Sequence, residues 1–291
     1  MKGIGMAYGA TTIVNAMPSG LGASLGVNLR TFAEVELNYN EEISVEINGR
    51  KDGRINLAVE SFKIIMEKLG LKYGAFIRTW SEIPIAKGMK SSSAASNAII
   101  LATLDALEVE LNDLEVVNLG VDASIRAKAT LTGAFDDAIA SYFGGIHLTD
   151  NYRRKILKSI KIMEPLSVIF LVPEGERYSG DVKLENVNSV KNVINMAFKE
   201  AIEGRIWQAM IINGLIMAHV FGYDIRPIII AIENGAISAG LCGKGPAICA
   251  ICKEDSENQI IESWKEFSTN IIKAKINHKK AQKGVNFENK N

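Results

Sequence analysis

The sequence predicts an α+β protein of two domains that share a cleft. Its 291 residues exceed the ~100–150 of a common single domain. Segments alternating apolar and polar residues are interleaved with segments of helical periodicity. The composition also turns basic and polar around 151–161, where a boundary between residues 1–153 and 154–291 is expected.

Taken in order, residues 1–26 are rich in Gly, Ala and Thr around short apolar runs such as Thr12-Ile13-Val14, which suggests strands joined by tight turns. The opening Gly3-Ile4-Gly5-Met6-Ala7-Tyr8-Gly9 lacks the preceding strand and the final spacing of a dinucleotide fingerprint. Alternation at 31–37 and 43–47 suggests a hairpin-like strand pair. Leu57, Val59, Phe62, Ile65, Met66 and Leu69 recur at helical spacing, so a helix is expected over 55–69, stopped by Gly70. A strand follows at 75–80. The segment 94–107 contains Asp105 as its one ionisable residue, which predicts a helix buried on most sides. Asn112 and Glu115 form a capping box for the next helix.

Beyond the boundary the pattern gives a strand at 167–172 and helices near 189–203, 206–221 and 225–238. A Gly-rich turn at 240–245, a strand at 247–252, a helix at 256–267 and a strand at 271–276 complete it. That order is the pattern of a ferredoxin-like layer with extra helices. From Lys273 the tail holds six lysines against Glu288, and a solvated, poorly ordered end is expected.

Composition excludes several classes of function. Lys plus Arg (33) balance Asp plus Glu (33), so no global positive field draws nucleic acid or an anionic membrane. No apolar run reaches the ~18–20 residues of a membrane span and no signal-peptide pattern opens the chain, so a cytoplasmic location is expected. Cys242, Cys249 and Cys252 are few and confined to one segment, unlike a disulfide framework. In a strand the Cys249-x-x-Cys252 spacing puts the sulfurs on opposite faces, which favours packing over zinc or redox chemistry. His147, His219 and His278 are scattered and fit no metal or nucleophile pattern.

Three segments carry chemistry. In Lys87-Gly88-Met89-Lys90-Ser91-Ser92-Ser93 a strand ends in a turn that enters an apolar helix. A helix N-terminus offers unpaired N–H groups and partial positive charge, both suited to phosphate. Gly88 permits close backbone approach, Lys87 and Lys90 add charge, and the hydroxyls can meet phosphate or Mg²⁺. A helix cap requires one serine, and three in succession exceed that need. The segment is not a GxxxxGK[ST] loop, which argues against a P-loop kinase. The second segment, Gly240-Leu241-Cys242-Gly243-Lys244-Gly245, could bring backbone amides against the first. The third, Thr132-Gly133-Ala134-Phe135-Asp136-Asp137-Ala138, places adjacent acids between apolar residues, as expected for a carboxylate aimed into a cleft. Phosphoryl transfer uses such a group to orient the attacking hydroxyl and accept its proton.

Together these segments resemble the GHMP kinases. That family's motif Pro-x-x-x-Gly-Leu-Gly-Ser-Ser-Ala is similar to the run from Pro84 to Ala94, with Lys90 in place of a glycine and one extra serine. The form Gly88-Met89-Lys90-Ser91-Ser92-Ser93-Ala94, with Thr12-Ile13-Val14-Asn15-Ala16 and the Asp136 segment, looks like the archaeal-type shikimate kinase branch. The resemblance implies an N-terminal α/β domain of ribosomal S5 domain 2-like form, a C-terminal ferredoxin-like domain, and an active site between them. It implies ATP as phosphoryl donor with Mg²⁺, and shikimate as small-molecule acceptor at its 3-hydroxyl. It assigns Asp136 as catalytic carboxylate, Lys87 to Ser93 with Gly243 and Gly245 as the nucleotide-binding residues, and Ser92 or Ser93 as the hydroxyl nearest Mg²⁺. The glutamate that several members place before the aspartate is missing, with Asp122 the nearest acid. The N-terminal lysine of mevalonate kinases has no counterpart. A substrate carboxylate calls for an arginine, and Arg177 is chosen over Arg78 and Arg226. Homoserine or mevalonate phosphorylation, and a silent ATP-binding sensor, are the alternative functions.

Overall fold

The computed structural model describes residues 1–51, 55–130, 133–174 and 184–285. Two long strands, β1 (Lys2–Val14) and β2 (Leu21–Asn38), run antiparallel and form the spine of the first sheet. The 18 residues of β2 serve two partners on its other edge. Its first part pairs with β5 (Ile146–Asp150), which in turn pairs with β6 (Lys155–Ile160), and its last part pairs with β4 (Gly74–Ser81). Outside β4 lies β3 (Ile43–Ile47), and outside β1 lies β11 (Gln282–Lys283).

Four helices cover this sheet: α1 (Asn56–Leu69), α2 (Ser91–Ala106), α3 (Asp113–Arg126) and α4 (Phe135–Phe143). The nearly charge-free α2 lies in their middle, with Asn97, Ile100 and Thr103 fully buried. It sits unusually close to β1, because a Cβ on Gly5 would fall 2.2 Å from the Ala98 carbonyl oxygen. The opening glycines thus serve helix-on-strand packing. Asp105 accepts the Ile4 amide at 2.8 Å, which accounts for the lone acid of the helix.

The second domain follows the expected ferredoxin-like course. From β7 (Ser167–Leu171) the chain runs through α5 (Leu184–Ser189), α6 (Lys191–Ile202), α7 (Ile206–Val220) and α8 (Arg226–Glu233). It then forms β8 (Ser238–Leu241), β9 (Ile248–Cys252), α9 (Glu257–Trp264) and β10 (Ile271–Lys275). The sheet order is β10-β7-β9-β8, all antiparallel. Its apolar core, including Phe170, Met210 and Trp264, is continuous with Ile13, Leu25 and Met89 of the first domain.

Several sequence expectations need correction. The segments 31–37 and 43–47 do not pair: β4 lies between them, antiparallel to β2 and parallel to β3. Alternation reports which face is buried but not which strand is the partner. The helix expected over 225–238 stops at Glu233, where Asn234 and a left-handed Gly235 (φ 93°) end it, and an unforeseen strand, β8, follows. Strand β6 carries the first sheet to Ile160, past the expected division after residue 153. The tail is built in as far as Val285: Ala281 is 1% exposed and β11 pairs with β1.

Candidate active site

After β4 the chain turns through a loop with three left-handed residues, Ala86, Gly88 and Lys90, and enters α2 at Ser91, three residues earlier than expected. Lys90 is the N-cap, with φ 62° and no side-chain capping bond, a conformation costing a non-glycine residue about 1–2 kcal/mol. A serine cap is therefore not what starts this helix. Ser91, Ser92 and Ser93 form its first turn, where backbone amides have no intrahelical acceptor, and all three line a cleft of about 760 Å³. Ser92 is exposed and Ser93 buried.

The rest of the loop faces elsewhere. Met89 is 1% exposed and belongs to the core. The Lys87 amine donates to the Pro173 carbonyl at 2.7 Å. Gly88, with φ 80°, could not carry a side chain, since its Cβ would lie 1.8 Å from the Cys242 carbonyl oxygen. That contact is where the serine-rich loop meets the glycine-rich one, and the Ala247 amide donates to the Lys87 carbonyl at 3.2 Å beside it.

Gly243 and Lys244 of the second segment line the same cleft. Gly243 is held from both sides: its amide donates to Thr12 Oγ1 at 2.9 Å, and its carbonyl accepts from Asn15 Nδ2 at 2.9 Å. Gly245 faces Tyr223 and Leu241 instead, and its amide closes a turn onto the Cys242 carbonyl at 2.7 Å. All three cysteines are free and buried. Cys242 and Cys249 both contact Thr11 Oγ1, whereas burial, and then the Glu257 charge, push the Cys252 thiol up to about 11.

The acid pair opens α4. Asp136 is 3% exposed and is held by Asn151 at two points. Asn151 Nδ2 donates to Asp136 Oδ1 at 2.7 Å, and the Asp136 amide donates to Asn151 Oδ1 at 3.1 Å. Thr149 also donates to that Oδ1, at 2.7 Å, so two donors fix which way the amide points. Ser24 Oγ donates to Asp137 Oδ1 at 2.8 Å and lies 3.3 Å from Asp136 Oδ2. Lys90 Nζ is 3.0 Å from Asp137 Oδ1. Burial, and then the Asp137 charge, push Asp136 up to about 7 against the opposing pull of Lys90 and the Asn151 bond. Burial works to lower Lys90, but the two carboxylates outweigh it and hold the ammonium above its ordinary range.

The structure thus brings Gly88, Lys90, Ser91, Ser92, Ser93, Asp136 and Gly243 around one cleft. Lys87, Met89 and Gly245 shape its loops from outside the lining. Asp122 is outside it too, in an ion pair with Arg154. Arg78 pairs with Glu34 and Arg226 with Asp224; Arg177 lies outside the described residues. Asn151 and Ser24 escaped sequence reasoning because their link to Asp136 is made only by the fold. Asn15 stood in a motif that the family resemblance had already singled out.

Comparison with known proteins agrees with this geometry. Residues 56–145 match the GHMP kinases N terminal domain, and residues 225–270 match the GHMP kinases C terminal. A protein named shikimate kinase from Methanothrix thermoacetophila is 39% identical over 98% of this chain and 97% of its own. One of the same name from Thermococcus kodakarensis is 42% identical over 90% and 95%. The Methanococcus jannaschii mevalonate kinase structure superposes with a TM-score of 0.77 at 17% identity, covering 94% of this chain and 98% of its own. Homoserine kinase from Cytophaga hutchinsonii gives 0.74 at 15% identity, covering 97% of each chain. Identity sustained over nearly the full length of several relatives, on a fold shared with these kinases, makes the chain a member of the GHMP kinase family.

Proposed function

We propose that the protein transfers the γ-phosphoryl group of ATP to the 3-hydroxyl of shikimate, giving shikimate 3-phosphate and ADP. The relatives named shikimate kinase support the acceptor. The chemistry rests on one observation: Asp136 is a buried carboxylate, clamped by Asn151, with a proton affinity near neutrality, in the same cleft as the N-terminus of α2. A base of that strength can orient an alcohol and take its proton as the phosphoryl group moves.

The phosphates are assigned to the first turn of α2, where Ser91, Ser92 and Ser93 line the cleft together with Gly88 and Gly243. Lys87, Met89 and Gly245 support that cradle from behind. Mg²⁺ typically takes one or two protein oxygens together with phosphates and waters. The donor set fits such an ion: Ser92 and Ser93 offer hydroxyls, and among the described residues no cluster of three or more His, Cys, Asp or Glu could hold a metal alone. When bound, it would neutralise phosphate charge. Arg177 is retained as the proposed partner of the substrate carboxylate. Among the described residues no helix is long and apolar enough to cross a membrane, and we place the enzyme in the cytoplasm.

Purified protein with ATP and Mg²⁺ is expected to release ADP on addition of shikimate. A coupled assay across shikimate, homoserine, mevalonate and galactose tests this. Turnover of another alcohol in preference to shikimate would overturn the acceptor, and ATP binding without turnover of any would favour a sensor.

A further inference from the structure

The phosphate loop differs from the motif it resembles at Lys90, which stands where the family has glycine. The backbone keeps the glycine conformation, φ 62° and ψ 29°, so a residue without a side chain would adopt it more easily. A side chain present against that preference points to work done by the side chain. The Lys90 side chain is only 11% exposed, and its ammonium is turned onto Asp137. Gly243 leaves it room, because a Cβ there would lie 3.0 Å from Nζ. Asp137 Oδ1 receives both this ammonium, at 3.0 Å, and the Ser24 hydroxyl, at 2.8 Å. The same hydroxyl lies 3.3 Å from Asp136 Oδ2.

We propose that Lys90 is a positioning residue for phosphoryl transfer: it ties Asp137, and through Ser24 the Asp136 carboxylate, to the loop that carries the phosphates, and cancels one of the pair's two negative charges. The tie matters because Asp136 stands on α4 and the phosphates on α2, and transfer requires the two at a fixed separation. The charge matters at the transfer step, because bringing the phosphoryl group up to an acceptor held beside two uncompensated carboxylates is opposed by both. Around the pair, Ser24 from β2 and Asn151 after β5 are neutral. The Lys90 ammonium is in direct contact with Asp137.

The inference rests on Asp136 facing the acceptor hydroxyl. Its test uses whichever alcohol the native enzyme phosphorylates, so a wrong acceptor appears in the native protein and a wrong role for Lys90 only in the variants. Lys90→Gly is expected to lower kcat about 100-fold while the KM for ATP changes less than about threefold. In an Asp137→Asn background, where one carboxylate charge is already gone, the same substitution should cost less than about fivefold. Equal losses in both backgrounds, or a loss confined to the KM for ATP, would overturn the proposal. If Lys90→Gly alone does not fold, the Asp137→Asn protein is compared with the double variant, which removes both members of the ion pair. A loss above about fivefold between those two likewise overturns it.

Discussion

The two walls of the cleft are built on different principles. The first-domain wall presents side chains: Asp136 and Asp137, the Lys90 ammonium and the serines of α2. The second-domain wall presents mostly backbone: Gly243 clasped by Thr12 and Asn15, and the Cys242 carbonyl pressed against Gly88. Both segments place a glycine where they meet, yet the glycines of the second do different things. Gly88 and Gly243 let two domains touch main chain to main chain beside the cleft, whereas Gly245 only completes a turn against Tyr223. Chemistry is thus concentrated on one side, and the other side fixes where that chemistry points.

The contrast can be broken most sharply at the chemical wall. Asp136→Asn keeps the shape and the clamp but removes the base, and kcat is expected to fall about 10³-fold with ATP affinity nearly unchanged, measured by steady-state kinetics and calorimetry. If turnover and binding fell together, the residue would be part of the scaffold. On the backbone wall, Gly88→Ala forces a Cβ to within 1.8 Å of the Cys242 carbonyl, so the two domains must separate locally. A stability loss of about 2–3 kcal/mol, read by denaturant unfolding, and a turnover loss of about 10²-fold are expected.

The smallest effect is one of pH. Asp136 must be ionised to accept a proton, so kcat/KM should fall about tenfold per pH unit below about 7. Stability runs the opposite way. The folded-state value lies above the ~3.9 of an unfolded chain, so the group's stabilising contribution is full below that pH and is lost as pH rises through about 7. The enzyme works where its base is least comfortable, and a pH series of both unfolding and turnover would show the two curves crossing.

What could be read from the sequence was what short stretches determine. Helix α1 with its Gly70 stop, the Asn112–Glu115 cap and the buried character of α2 are local patterns, and each is present. The phosphate loop and Asp136 stood out because their composition exceeded any structural need. Partnership was not legible. Nothing near β3 says that it joins β4 in parallel, and nothing near Asn151 says that it holds an aspartate 15 residues away. Strand β8 was hidden because the run from Ile225 to Ser238 reads as one helix, and the stretch after it as a Gly-rich turn, until Asn234 and Gly235 are given their due as a stop. Lys90 was expected to reach for phosphate, and only the fold shows it turned onto Asp137.

Strand β11 has a consequence for the order of events during synthesis. It joins β1, at the opposite end of the chain, after the whole second domain has been laid down between them. The edge of β1 therefore lacks this partner while roughly 280 residues emerge, a period in which unpaired strand edges invite misassociation. The glycines that hold α2 tight against β1 give that spine a partner encoded within the first hundred or so residues, long before its last neighbour leaves the ribosome.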